Sequence, residues 1–154
     1  MAKLFSIKEK YSNRIYSKRK LVEFRRQNVN VNKGEFCLIY TSSPIKKITG
    51  YFIVKEKIRT SIKRLWEITK KFAGISYKEF KEYFMNCELG TAIVFKRIEK
   101  FTHALGLDDL RKRVNFRPPQ SYCNLNDLLI NLFNVYIPQK QLKGYTPTND
   151  WIPA

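Results

Sequence analysis

The sequence predicts an α+β domain, a small closed or nearly closed β-barrel with helices packed around it. Three observations point there. Apolar runs of strand length occupy residues 36–40, 48–58 and 91–101. Ile62, Leu65, Trp66, Thr69 and Phe72 repeat at helical spacing. Two Ser-x-x-Glu spacings, Ser6 with Glu9 and Ser76 with Glu79, have the form of helix capping boxes. Strands that carry the long-range pairing, with helices inserted between them, suit a barrel of this class.

Taken in order, Leu4, Phe5, Ser6 and Ile7 read as a short strand handing over to a helix that Ser6 and Glu9 would cap. In that helix Tyr11 and Ile15 share a face, and Lys10, Arg14 and Lys18 can point outward. Residues 20–27, around Val22 and Phe24, read as extended, and residues 30–34 have turn chemistry. The runs at 36–40 and 48–58 then form a hairpin, interrupted by Pro44, with Gly50 as a bend or bulge. The stripe from Ile62 to Phe72 is a helix with one buried face, which Gly74 would end in a left-handed cap. Ser76 and Glu79 start another helix, whose Phe80, Tyr83 and Phe84 read as core. A long strand at 91–101 is followed by a short helix at 105–113, an extended loop at Arg117, Pro118, Pro119 and Gln120, and an apolar helix at 125–133. One domain is expected over residues 1–134, with 135–154 a C-terminal extension either packed on the barrel or flexible.

Charge narrows the function. Thirty Lys and Arg stand against 13 Asp and Glu, a formal charge of +17 in 154 residues. Self-repulsion on that scale does nothing for the folded state, whereas a polyanionic partner accounts for it, and nucleic acid leads that class. No apolar run reaches the length of about 18 residues that a transmembrane helix needs, so no membrane partner is expected. Three well-separated cysteines, Cys37, Cys87 and Cys123, argue against a disulfide framework and for a reducing compartment, hence a cytoplasmic location. With His103 the one histidine and no close Cys pair, the ligands for a zinc site and the base for a Cys-His nucleophile are both missing, and no cofactor is expected.

The side chains with the most chemistry are Lys20, Glu23 and Arg25, spaced K-x-x-E-x-R. On an extended backbone Glu23 and Arg25 project to the same side. A carboxylate there can accept from base amino or imino groups, while Lys and Arg contact phosphate or base oxygens. The plainer reading is a surface ion pair, worth about 0–1 kcal/mol.

The run Leu4, Phe5, Ser6, Ile7, Lys8, then Lys20, Glu23, Arg25 and Arg26, resembles the amino-terminal half of ASCH domains, members of the PUA-like superfamily. Tyr40 to Pro44, Gly50, Leu65 with Trp66, Ala73 to Ser76, Phe80, Tyr83 with Phe84, and Arg117 to Ser121 are similar to the same group in the same order. This resemblance implies a PUA-like barrel with a cleft lined by Lys20, Glu23 and Arg25 and bordered by Arg26, Ser42, Ser43, Gln120 and Ser121. Lys8 and Lys18 complete the nucleic-acid-binding candidates. Lys18 stands where that family usually has Gly, which questions the turn before the motif.

The function expected from charge and resemblance together is a nucleic-acid-binding module, RNA ahead of DNA, holding an unpaired or modified base and serving in transcriptional or translational control. The alternative is an enzyme, a ribonuclease or a modified-nucleoside amidohydrolase. Amidohydrolases that resemble this group use a Thr nucleophile where this chain has Glu23, which cannot act as a hydroxyl nucleophile. A third reading makes the tail, with Trp151, Ile152 and Pro153, a docking peptide for a protein partner; as a plainer role it straps the barrel. Oligomeric state is not legible in the sequence.

Overall fold

Ten elements follow one another in the computed structural model, which describes residues 2–125 and Leu129. They are β1 (Lys3–Ile7), α1 (Glu9–Tyr16), β2 (Val22–Arg25), β3 (Phe36–Thr41), β4 (Lys47–Ser61), α2 (Ile62–Thr69), α3 (Tyr77–Tyr83), β5 (Leu89–Gly106), α4 (Leu107–Val114) and β6 (Tyr122–Asn124). The strands join in the order β2-β5-β4-β3-β1-β6. This is the α+β class the sequence leads one to expect. The helix expected at 125–133, apart from Leu125 and Leu129, and the extension at 135–154 lie outside the described residues.

Two compact units make up the described chain. The first holds the residues up to Glu9, Phe36–Tyr51 and the residues from Glu99 onward; the second holds Lys10–Glu35 and Phe52–Ile98. In the first, β1 runs parallel to β3, Lys3 opposite Cys37 through Ile7 opposite Thr41. On its other side β1 pairs antiparallel with β6. β1 and β3 are buried along almost their whole length, which is why β3 reads as a continuous apolar run from Phe36 to Tyr40 and not as an alternating one. Phe5 stacks on Tyr122 with ring centroids 5.4 Å apart, and Tyr40 meets Phe116 at 5.8 Å.

Ser6 is not a helix cap. It lies inside β1, where its N–H donates to the Ser121 carbonyl at 2.9 Å and its hydroxyl donates to the Pro119 carbonyl at 2.5 Å. Gly50 sits within the single continuous strand β4. β6 was not expected from sequence, since three residues cannot display a period.

In the second unit β2 pairs antiparallel with β5, Val22 opposite Val94 and Arg25 opposite Thr91. Side chains alternate across a strand. Val22 and Phe24 therefore enter one core with Leu65 of α2, Ala73, Phe80 and Phe84 around α3, and Ala92 and Val94 of β5. The Phe24 ring meets the edge of Phe80 at 5.3 Å and of Phe84 at 5.9 Å. α3 begins with a complete capping box: Ser76 accepts from the Glu79 N–H while the Glu79 carboxylate accepts from the Ser76 N–H. α2 ends sooner than expected, at Thr69, so Phe72 lies past the helix and Gly74 is not its cap.

The turn before β2 keeps a left-handed residue although glycine is absent. Lys18 takes φ +64°, and its ammonium donates to the Ile98 carbonyl at 2.7 Å. A Cβ in that conformation costs about 1–2 kcal/mol, and β-branching raises the cost further. Lys18→Val is therefore expected to lower unfolding stability by at least about 1–2 kcal/mol. Lys18→Gly, which removes the clash along with the hydrogen bond, should stay within about 1 kcal/mol of the parent. Urea unfolding midpoints of the three proteins check this ordering.

Candidate functional site

Lys20 is the side chain from which the site is built. It follows the left-handed turn, and its backbone N–H donates to the Arg14 carbonyl at the end of α1. Only 2% of its surface is exposed. Its ammonium donates to the Val22 carbonyl and lies over two aromatic faces, 4.8 Å from the Phe24 ring centre and 5.7 Å from that of Tyr11. Burial holds the Lys20 pKa below its ordinary value; nearby Glu23 opposes this, and Arg25 and Arg14 add to it.

The place where Lys20 can be so deep is set by Gly74. At φ +65° this residue has no Cβ, and one built there would fall 2.4 Å from the Lys20 Cβ and 2.7 Å from the Arg19 carbonyl oxygen. Any larger residue would force the turn at Arg19 and Lys20 away from the segment after α2. Arg14 ties the same segment to α1. Its guanidinium donates to the Gly74 carbonyl at 3.1 Å and to both Glu79 carboxylate oxygens, at 2.8 and 3.2 Å. That two-point pair holds the Glu79 carboxyl below the usual carboxylate range.

Lys20 and Glu23 line one small pocket with Tyr11, Phe24, Ile75 and Tyr83, with a cavity volume of about 20 Å3. The expected surface ion pair is not what β2 presents. Glu23 is 7% exposed, and its Oε1 lies 3.9 Å from Arg25 Nε, beyond hydrogen-bond distance. Glu23 Oε2 is buried with no hydrogen-bond partner among the described residues. A buried carboxylate oxygen left in that state favours any ligand that brings an N–H or O–H donor. Tyr83 donates its hydroxyl to the Phe24 carbonyl at 3.0 Å, and burial pushes its phenol pKa up.

The other candidates are spread more widely. Lys18 is committed to the Ile98 carbonyl. Arg26 is exposed and turns toward the segment after α3, donating to Cys87 Sγ at 3.2 Å and to the Met85 carbonyl at 3.0 Å. Lys8, Ser42, Ser43, Gln120 and Ser121 fall in the first unit. There Ser42 donates its N–H to the Ile7 carbonyl and Ser121 accepts from Ser6, so β1 gathers those two loops. Tyr11 and Tyr83 were read as helix-face and core residues and are walls of the pocket instead.

The second unit carries 19 of the 30 Lys and Arg but seven of the 13 Asp and Glu, so most of the positive excess lies in the unit that holds the pocket. Among the described residues no group of three or more His, Cys, Asp or Glu could hold a metal ion, and no helix is long and apolar enough to cross a membrane. None of the three cysteines forms a disulfide.

Comparison with known proteins gives four findings. A family model described as a domain of unknown function, DUF365, matches residues 1–117. The ASCH domain-containing ribonuclease of Zymomonas mobilis is 28% identical over 119 residues, 77% of this chain and 80% of its own length. The crystal structure of ASCH from Zymomonas mobilis superposes with a TM-score of 0.80 at 25% identity, covering 87% of this chain and 94% of that one. The N-terminal domain of Staphylothermus marinus McrB shares the fold, with a TM-score of 0.58 at 10% identity over 88% of this chain and 92% of its own.

A depressed lysine pKa has a thermodynamic signature. At low pH Lys20 is charged in both folded and unfolded chains. Between its folded value and the ordinary one near 10.4 the unfolded chain holds a proton that the folded chain has released, so stability rises with pH across that window. Measured by urea unfolding in alkaline steps, the stability of Lys20→Met relative to the parent is expected to fall as pH rises toward about 10.4. A pH-independent difference would place the Lys20 pKa at its ordinary value.

Proposed function

Because this chain belongs to the DUF365 family and carries an ASCH domain of PUA-like fold, we propose that it is an RNA-binding module that holds one unpaired base in the Lys20–Glu23 pocket. What supports this reading is a recessed carboxylate oxygen without a partner, set between the aromatic walls Tyr11 and Tyr83 in the more basic unit. Glu23 accepts from a base amino or imino group, Arg25 contributes positive charge beside it, and exposed cations such as Arg26 grip phosphate. The ribonuclease name of the Zymomonas mobilis relative favours RNA over DNA as the ligand.

A second reading, RNA cleavage, is favoured by the same relative and by Lys20 itself. Burial lowers the pKa of this amine, which makes its neutral form easier to reach, and that form can accept a proton from a hydroxyl in the pocket. The modified-nucleoside amidohydrolase has no comparable support here, since Glu23 occupies the place of its nucleophile.

Binding is tested by fluorescence anisotropy with single-stranded RNA and DNA of one sequence at two salt concentrations. RNA affinity should fall steeply with salt, about 0.7 in log affinity per log salt for each phosphate contacted. Glu23→Ala should flatten the preference among homopolymers, and Arg26→Ala should weaken all of them about equally. Absence of RNA binding at low salt removes this function. Incubation with labelled RNA decides the second reading: cleavage that disappears in Lys20→Ala while binding persists makes the protein a nuclease, and intact RNA with the parent protein leaves it a binder.

A further inference from the structure

Beside the Lys20–Glu23 pocket lies a second, wider groove of about 500 Å3 lined by Arg14, Arg19, Lys71, Gly74, Ile75, Ser76 and Glu79. Ile75 belongs to both linings and forms the wall between them. Lys20 faces the pocket and its immediate predecessor, Arg19, faces the groove. The two recesses therefore adjoin through a shared residue, Ile75, and through two consecutive backbone positions, Arg19 and Lys20.

The groove's polar groups are not equally available. Arg14 and Glu79 neutralise each other in a two-point pair, and Arg14 also holds the Gly74 carbonyl. The backbone N–H of Ser76 and the Ser76 hydroxyl are both engaged with Glu79, so the start of α3 offers little to a ligand. Two cations remain, Arg19 and Lys71. Both are exposed, and among the described residues neither pairs with a carboxylate. The Arg19 Nε donates to the Ser17 hydroxyl at 3.1 Å, which orients the guanidinium and leaves its terminal nitrogens for another acceptor.

We infer that this groove is the phosphate subsite of the same ligand, with Arg19 and Lys71 holding the phosphate attached to the nucleotide whose base enters the Lys20–Glu23 pocket. The inference rests on the RNA-binding reading and sharpens it. The protein selects phosphorylated nucleotides or phosphodiesters over free nucleosides, because only a phosphate gains the attraction of the two groove cations. Gly74 is the hinge of the arrangement: its missing Cβ lets the Lys71–Ser76 segment lie against Arg19 and Lys20, so one backbone contact sets both recesses.

Isothermal titration with the four ribonucleosides and their 3′- and 5′-monophosphates tests this directly. The parent protein should bind at least one monophosphate about tenfold or more tighter than its nucleoside, roughly the effect of one charge-assisted contact. The Arg19→Ala/Lys71→Ala double variant should bind that monophosphate no better than the nucleoside, with nucleoside affinity itself unchanged. Lys33→Ala/Lys55→Ala, at exposed positions lining neither recess, should keep the preference. Equal affinity for nucleoside and monophosphate in the parent, or a preference that survives loss of Arg19 and Lys71, overturns the subsite. If that happens while the parent still binds single-stranded RNA, the subsite alone is lost; if RNA binding is absent too, the RNA-binding reading goes with it.

Discussion

An ammonium group sealed beneath two aromatic faces constrains everything near it. Moving a charge from water into a protein interior costs several kcal/mol even after relaxation. Around Lys20 that cost is offset by the Val22 carbonyl, the Phe24 and Tyr11 ring faces, and the Glu23 carboxylate. Three of these come from β2, so the register of β2 against β5 cannot slip. A shift of one residue would exchange Glu23 and Arg25 for Val22 and Phe24, placing charge in the core and apolar groups in the pocket. Gly74 and Lys18 complete the constraint from either side of Lys20, each with positive φ.

A second set of contacts stiffens the frame. Arg14 on α1 reaches the Gly74 carbonyl and the Glu79 carboxylate, and Glu79 in turn closes the capping box of α3. α1, the segment after α2 and α3 are thus joined through one guanidinium. α3 then supplies Phe80 and Phe84 to the core and Tyr83 to the pocket. Packing and recognition share the same short helix.

Much of this was legible beforehand, for identifiable reasons. The α+β class followed from strand-length runs and helical stripes, and the Ser76–Glu79 box is complete because its spacing coincides with a real helix start. The same spacing at Ser6 and Glu9 misleads. Ser6 finds partners in the Ser121 and Pro119 carbonyls, which lie more than a hundred residues away in sequence. Lys20, Glu23 and Arg25 were visible as a group, but their burial was not, since Lys and Glu are ordinarily exposed and only long-range packing hides them. Tyr11 and Tyr83 were read as helix-face and core residues because a helical stripe reports that a face is covered without revealing what lies over it. β6 was too short for any periodic signal.

The account's central claim is that a nucleotide enters beside Glu23, and a crystal structure of the protein soaked with a short single-stranded oligoribonucleotide tests it most directly. Density for one base between Tyr11 and Tyr83, with an N–H within hydrogen-bond distance of Glu23 Oε2, is the predicted result. RNA bound elsewhere, with the Lys20–Glu23 pocket empty, would contradict it.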